Sequence, residues 1–285
     1  MGKTKSRASF QIPNKSGAGI HSRLRPVLRV PCFSNSRSPG GCGRGMLAGF
    51  MSVTLTSEEA PWKAGLRSAR ANLVPGLALQ AFALTVVLGY YLHGPTRGWL
   101  TQLANMRNET GMAFGVISTG LFGGLLPLLY LKTAPATRSS ITWRQGLALT
   151  AFWSYKGIEI ALWYGFLAWT IGEAADARTI AIKCLLDQFA YCPIWAVPTT
   201  AMVYLWCQNS FDTSAVVADL RGPRWYARRV LPMLCANLGV WLPLVCIIYA
   251  LPTPLQLPLQ NIVLCFFTLM LAHMSHRESA NRPEE

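Results

Sequence analysis

The stretch TIAIKCLLDQFAYCPIWAVPTTAMVYLW, residues 179–206, is long and apolar enough to cross a bilayer, yet it carries Lys183, Asp187 and Gln188. An ionisable side chain inside a crossing costs roughly 2.5–3.5 kcal/mol on insertion scales, so such groups face other helices or water rather than lipid. This run sets the class of the protein and places its polar chemistry without naming a substrate.

Outward from it lie five further apolar runs, approximately 72–92, 112–131, 147–171, 230–251 and 255–273. Each is near or above the ~20 residues that span a hydrocarbon core of ~30 Å. Backbone groups in lipid must bond within their own segment, so the runs are expected to be helices. The fold class that follows is all-α: a polytopic membrane helix bundle with about six transmembrane helices. Only Pro252-Thr253-Pro254 separates the last two runs, which predicts a tight helical hairpin. The second run holds Gly111, Gly115, Gly120, Gly123 and Gly124. Small residues at about four-residue spacing let helix backbones approach closely, here as a packing face within the bundle.

Composition agrees. The chain is 52% hydrophobic and 13% charged, against about 25% charged in a soluble domain. Its net charge of +14 would suit nucleic acid, but the basic residues sit beside apolar runs and no nucleic-acid partner is expected. Leaving out the first sixty residues, nine basic residues fall in the loops and tail of one side: Lys132, Arg138, Arg144, Arg221, Arg224, Arg228, Arg229, Arg277 and Arg282. Only Arg97, Arg107 and Arg178 fall on the other. Short loops rich in Lys and Arg stay inside, so both termini are expected on the cytoplasmic side, or the matrix side in an organelle. Trp143, Trp206, Trp225 and Tyr226 would mark the inner interface, and Trp99 and Trp169 the outer one.

Residues 1–60 are rich in Ser, Gly, Pro and Arg, with no acid in the first fifty and no hydrophobic period. They read as a disordered basic leader, either an organellar transit peptide or an over-extended reading of the gene upstream of Met46 or Met51. Residues 61–110 read as an additional first span and its loop, 111–276 as the main membrane bundle, and 277–285 as a polar tail. Gly40–Gly45 form no phosphate loop, because no strand precedes them. The eight cysteines include no CxxC pair, and the four histidines add no ligand spacing, so neither a metal site, another cofactor nor a disulfide framework is expected.

The third run places Lys156 and Glu159 one turn apart, and the fourth places Lys183, Asp187 and Tyr191 in an i, i+4, i+8 stripe beside Gln188. At about 1.5 Å per residue, Lys183 lies near its helix start and can snorkel outward. Glu159 lies about 18 Å deep, level with Tyr191. In the Lys183–Asp187 pair the base precedes the acid, the weaker order on a helix, so a partner for Asp187 on another helix is expected. Three readings compete for these groups: a structural clamp between helices, a polar path for ions or small solutes, and intramembrane catalysis. No catalytic motif supports the last, so the chain is read as a non-enzyme with no catalytic residues.

Two long segments resemble the peroxisomal membrane protein 22 family, which includes mitochondrial inner-membrane proteins. The carrying residues are Lys183, Asp187-Gln188 and Pro193; then Gly157, Trp163, Tyr164 and Leu167; then Asn237, Trp241, Pro243, Tyr249, Pro252 and Asn261. Ile158, Ala161, Gln256 and Phe267 depart from the family pattern. The resemblance covers residues 111–276 and suggests a remote, bacterial or mitochondrial relative. It implies a multi-pass membrane protein without enzymatic activity, in the bacterial cytoplasmic membrane or the mitochondrial inner membrane. It further implies a weakly selective small-solute channel or permeability modulator; the alternative is a non-conducting structural or stress-related membrane protein. The expected partners are the lipid bilayer and small solutes or ions, and self-association into a homo-oligomer stays open.

Overall fold

A computed structural model describes residues 61–133, 138 and 141–280; for residues 61, 64, 65, 68, 71 and 270–280 it describes the backbone alone. The leader 1–60 and the last five residues of the tail lie outside the described residues, with Cys32, Cys42 and Arg282, as do the side chains of His273, His276 and Arg277. Among the described residues all regular structure is helical: α1 (Pro61–Ala71), α2 (Leu73–Leu92), α3 (Gly94–Thr110), α4 (Met112–Thr133), α5 (Trp143–Ile171), α6 (Ala177–Gln208), α7 (Thr213–Arg221), α8 (Tyr226–Tyr249) and α9 (Thr253–Ala280). Each apolar run of the sequence coincides with one long helix. Three shorter helices lie outside these runs: α1 against α8, α3 directly after α2, and α7 between α6 and α8.

Four helices, α2, α4, α6 and α8, are long and apolar enough to cross a membrane. The sequence reading expected about six, and the difference has a physical origin. Although α5 has 29 residues, Lys156, Glu159 and several aromatic and small residues dilute its apolar character. The apolar, described part of α9, Thr253–Leu269, is shorter than a full crossing.

Local signals explain the ends. Thr142 and Gln145 close a reciprocal capping box at the start of α5, with 2.9 and 3.2 Å bonds. Its far end stops at Gly172, whose φ of +105° suits a residue without a Cβ. Asp176 caps α6, accepting from the amides of Arg178 and Thr179. The Thr179 hydroxyl together with those amides holds its carboxyl below the usual carboxylate range. The five-residue link 172–176 then turns the chain so that α5 and α6 run antiparallel. Gln145 Nε2 donates to Cys207 O at 2.9 Å and Trp153 Nε1 to Tyr204 OH at 3.3 Å, joining the first half of α5 to the last turns of α6.

The helices α4, α6 and α8 contain π-helical segments at Leu121–Leu125, Asp187–Ala196 and Tyr226–Val230. Each ends two residues before a proline, at Pro127, Pro198 and Pro232. A proline lacks the amide for an i−4 bond and its ring crowds the i−4 carbonyl, so the preceding turn widens. The amides of Leu126, Val197 and Leu231 accordingly bond five residues back. Pro243 and Pro258 sit in α-helical backbone without such a widening, for which we have no physical account.

The glycine face of α4 packs on α5. A Cβ at Gly115 would meet the carbonyl oxygen of Gly157 at 2.8 Å, and Cβ atoms at Gly120 and Gly124 would strike Ser154 and Thr150. This is contact within the chain, as the sequence reading expected. Gly111 plays a different part, capping α3 at a φ of +57°. The main core joins Leu79, Ala83 and Val87 of α2, Ile160 and Leu167 of α5, Leu244 and Ile248 of α8, and Leu257 and Val263 of α9. Leu73, Val74, Leu84, Leu162, Phe189 and Ile194 point outward and stay exposed, as a bundle solvated by lipid requires.

Candidate functional site

The polar residues of α5 and α6 meet where these helices face α8 and α9. On α5, Lys156 Nζ lies 2.5 Å from Glu159 Oε1, one turn on. Tyr191 of α6 donates its hydroxyl to the same carboxylate oxygen. Trp163 stacks on the Tyr191 ring, centroids 4.7 Å apart at 15°. Lys156 Nζ also stands 5.8 Å over the Tyr191 ring and 5.9 Å over Phe152. Lys156 is only 3% exposed, so its charge depends on this pair and on the ring faces.

Asp187 has its partner on another helix. Tyr249 of α8 donates to Oδ2 at 2.6 Å, and Cys192 Sγ approaches Oδ1 at 3.5 Å. The second contact is possible because the π segment brings residue i+5 over residue i; in a regular α-helix Tyr191 would hold that place. Tyr249 also separates Asp187 from Lys183, whose Nζ sits 5.9 Å over its ring. The snorkelling expected for Lys183 is not seen: the residue is 2% exposed, because α8 covers this face of α6. Tyr164 packs edge-on against Tyr249 at 5.5 Å and donates its hydroxyl to Gln260 Oε1 on α9.

Between these two clusters lies a cavity of about 160 Å³, lined by Lys156, Asp187, Gln188, Tyr191, Asn237 and Gln260 among others. Apolar walls come from Ile160, Val245, Leu264 and Phe267. Drug-sized ligand pockets run about 300–1,000 Å³, so this space suits a few water molecules, at ~30 Å³ each, an ion or a small solute. Thr200 in the C-terminal half of α6 and Met233 in the N-terminal half of α8 also line it, as does Asn72 at the start of α2. The cavity therefore extends from mid-helix depth toward the end of the bundle where α2 begins. Gln188 is 2% exposed, and its Oε1 has no hydrogen-bond partner among the described residues; the same holds for Glu159 Oε2 and Trp163 Nε1.

The other residues singled out from the sequence sit on the seams around this space. Gly157 allows the α4–α5 approach. Pro193 lies inside the π segment, and its carbonyl accepts from Tyr226 OH at 2.9 Å. Trp241 packs edge-on against Phe267 at 5.8 Å, and Pro252 O accepts from Leu255 N in the α8–α9 turn. Asn261, 1% exposed, donates to Ser118 Oγ at 2.9 Å and accepts from Thr119 Oγ1 at 3.0 Å, tying α9 to α4. Sequence reasoning missed Gln260, Ser118 and Thr119. The test that flagged Asp187, a polar residue inside an apolar run, would have found them. Among the described residues no three His, Cys, Asp or Glu side chains stand together as metal ligands.

Two thiols offer a check on the α6–α8 seam. Cys184 and Cys246 lie with their sulfurs 3.1 Å apart, each one turn N-terminal on its own helix of the Asp187–Tyr249 contact. Copper-phenanthroline with oxygen is expected to join them, so that alkylation under denaturing conditions finds two thiols fewer than before. Cys184→Ser should abolish the loss. An unchanged thiol count in the native chain would place the seam elsewhere.

Comparison of the chain with protein-family models, curated proteins and solved structures finds no match.

Proposed function

We propose that the protein is a weakly selective channel, or permeability modulator, for ions or small solutes. The observation that carries this reading is the 160 Å³ cavity between these helices, mostly apolar in lining, with the Asp187 carboxylate at its wall beside Gln188 Oε1, which has no hydrogen-bond partner among the described residues. Four helices long and apolar enough to cross a membrane support a membrane protein. We take α5 and α9 as two further crossings, shielded by their neighbours, which makes six spans with both termini inside, in a bacterial cytoplasmic or mitochondrial inner membrane. The resemblance to the peroxisomal membrane protein 22 family supports the same reading.

Topology has its own test. Reporter fusions after Ala174 and after Arg282 should report opposite sides of the membrane, because an odd number of crossings separates them. A shared side would refute the six-span arrangement.

The functional test is flux. Purified protein in liposomes should pass small cations and neutral solutes, and Asp187→Asn should lower the cation-to-anion permeability ratio while leaving thermal stability close to wild type. Wild-type liposomes tight to ions and small sugars at every potential and pH would end the channel reading. A specific observation favours the alternative, a non-conducting structural protein: Glu159 Oε1 already accepts from both Lys156 and Tyr191, and Asp187 is held by Tyr249. On that reading the charges lock helix packing, and Asp187→Asn lowers stability without any flux to alter.

A further inference from the structure

The turn joining α7 to α8 gathers charge in a way that crossing a membrane does not by itself demand. Arg221, Arg224, Arg228 and Arg229 fall within nine residues, and Asp219 is the carboxylate that Arg228 and Arg229 meet. Arg229 forks onto Asp219 with bonds of 3.1 and 3.2 Å. Arg228 reaches the same carboxylate at 3.7 Å and donates to Pro223 O at 3.1 Å. Asp219 thus fixes two guanidinium groups side by side and neutralises one of them. The side chains of Arg221 and Arg224 are exposed and make no hydrogen bond or ion pair among the described residues.

The turn is held in place. Arg224 sits at a φ of +57°, a left-handed conformation uncommon for a side chain of this size, and its carbonyl accepts from Arg228 N at 2.9 Å. Tyr226 OH pins the turn to Pro193 of α6. Apolar groups flank the charge: Val217 and Leu220 are exposed on α7, and Tyr226 is exposed at the foot of α8. The neighbouring Trp225 keeps an indole N–H that no protein group among the described residues accepts.

We propose that this turn binds the headgroup of an anionic phospholipid, with Arg221, Arg224 and Arg228 on its phosphodiester and with Val217, Leu220 and Tyr226 against its acyl chains. The proposal rests on the membrane reading but not on the channel. Guanidinium groups match phosphate oxygens as two-pronged donors, and aromatic rings with basic side chains at a helix foot lie at headgroup depth. Of the other basic residues on this side, Lys132 donates to the carbonyls of Arg138 and Ile141, and Arg144 stacks over Phe211.

The test uses the full chain purified in neutral detergent and titrated with phosphatidylglycerol, phosphatidylcholine or inorganic phosphate, followed by thermal stability and by bound lipid in native mass spectrometry. Phosphatidylglycerol should stabilise and remain bound; phosphatidylcholine and phosphate should not. Arg221→Gln with Arg224→Gln should weaken phosphatidylglycerol binding at least tenfold, roughly fivefold for each guanidinium. Arg138→Gln with Arg144→Gln, which removes the same charge elsewhere on that side, should leave binding unchanged. Equal loss in both double variants would reduce the site to bulk charge and overturn the proposal. So would equal stabilisation by phosphatidylcholine, or an effect reproduced by phosphate alone. The assay reads bound lipid, so tight liposomes would end the channel reading and leave this result standing.

Discussion

Glu159→Ala is expected to destabilise the bundle more than any other single charge removal. The Glu159 carboxylate accepts from both Lys156 and Tyr191, and Lys156 has no second carboxylate within reach among the described residues. Its alternatives are the faces of Phe152 and Tyr191, which replace only part of an ion pair. Breaking a buried pair from one side costs about 3–5 kcal/mol in soluble proteins. Interhelical polar contacts in membranes average nearer ~0.6 kcal/mol, because the unfolded reference also finds partners. Two features favour the larger figure here. The ammonium is nearly sealed, and the lost oxygen serves two donors on two helices. The check is a thermal midpoint in detergent for Glu159→Ala, Lys156→Met and the double variant. The double variant should recover most of the loss, since it strands no charge. A Glu159→Ala midpoint equal to wild type would mean that the pair contributes nothing to holding α5 on α6.

The second large effect is steric. At Gly157 a Cβ would lie 2.6 Å from the carbonyl carbon of Gly115 and 2.8 Å from Thr119 Oγ1. The obstacle is largely backbone, which cannot swing aside as a flexible side chain would. Overpacking typically costs 1–3 kcal/mol and occasionally more, and a residue larger than Ala must part α4 from α5 along their whole seam. Gly157→Leu is therefore expected to abolish recovery of folded protein, with Gly157→Ala already lowering the midpoint. Gly165 lies on the same helix, exposed, with nothing within 4 Å of a Cβ. Gly165→Ala should be neutral or stabilising, by up to about 1 kcal/mol from helix propensity. Equal tolerance at both sites would show that the close α4–α5 approach is not required.

Several features were legible before any coordinates. Six apolar runs marked six long helices, because hydrophobicity sums along a segment and lipid allows only one local backbone solution. Gly115, Gly120 and Gly124 announced a close approach. The polar residues of the two central runs were conspicuous because each stands against its surroundings. Prolines 127, 198 and 232 also carried a readable signal, the widened turn before each. Only the rule linking them to a change of register was lacking.

The tertiary structure alone decided who meets whom. The weak i, i+4 order of Lys183 and Asp187 called for a partner of Asp187 on another helix but did not say which: it is Tyr249, sixty-two residues away, whose ring Lys183 also faces. The π segment then swaps Cys192 for Tyr191 at the Asp187 carboxylate and leaves Tyr191 for Glu159. Whether Lys183 reached water depended on α8 lying over it, and the cavity depended on how four helices fail to close around Gln188. A residue's cost in lipid is local and additive, so sequence determines that it must be sheltered. Its shelter is set by helix crossings between distant segments, where a change of one residue per turn redirects every side chain that follows.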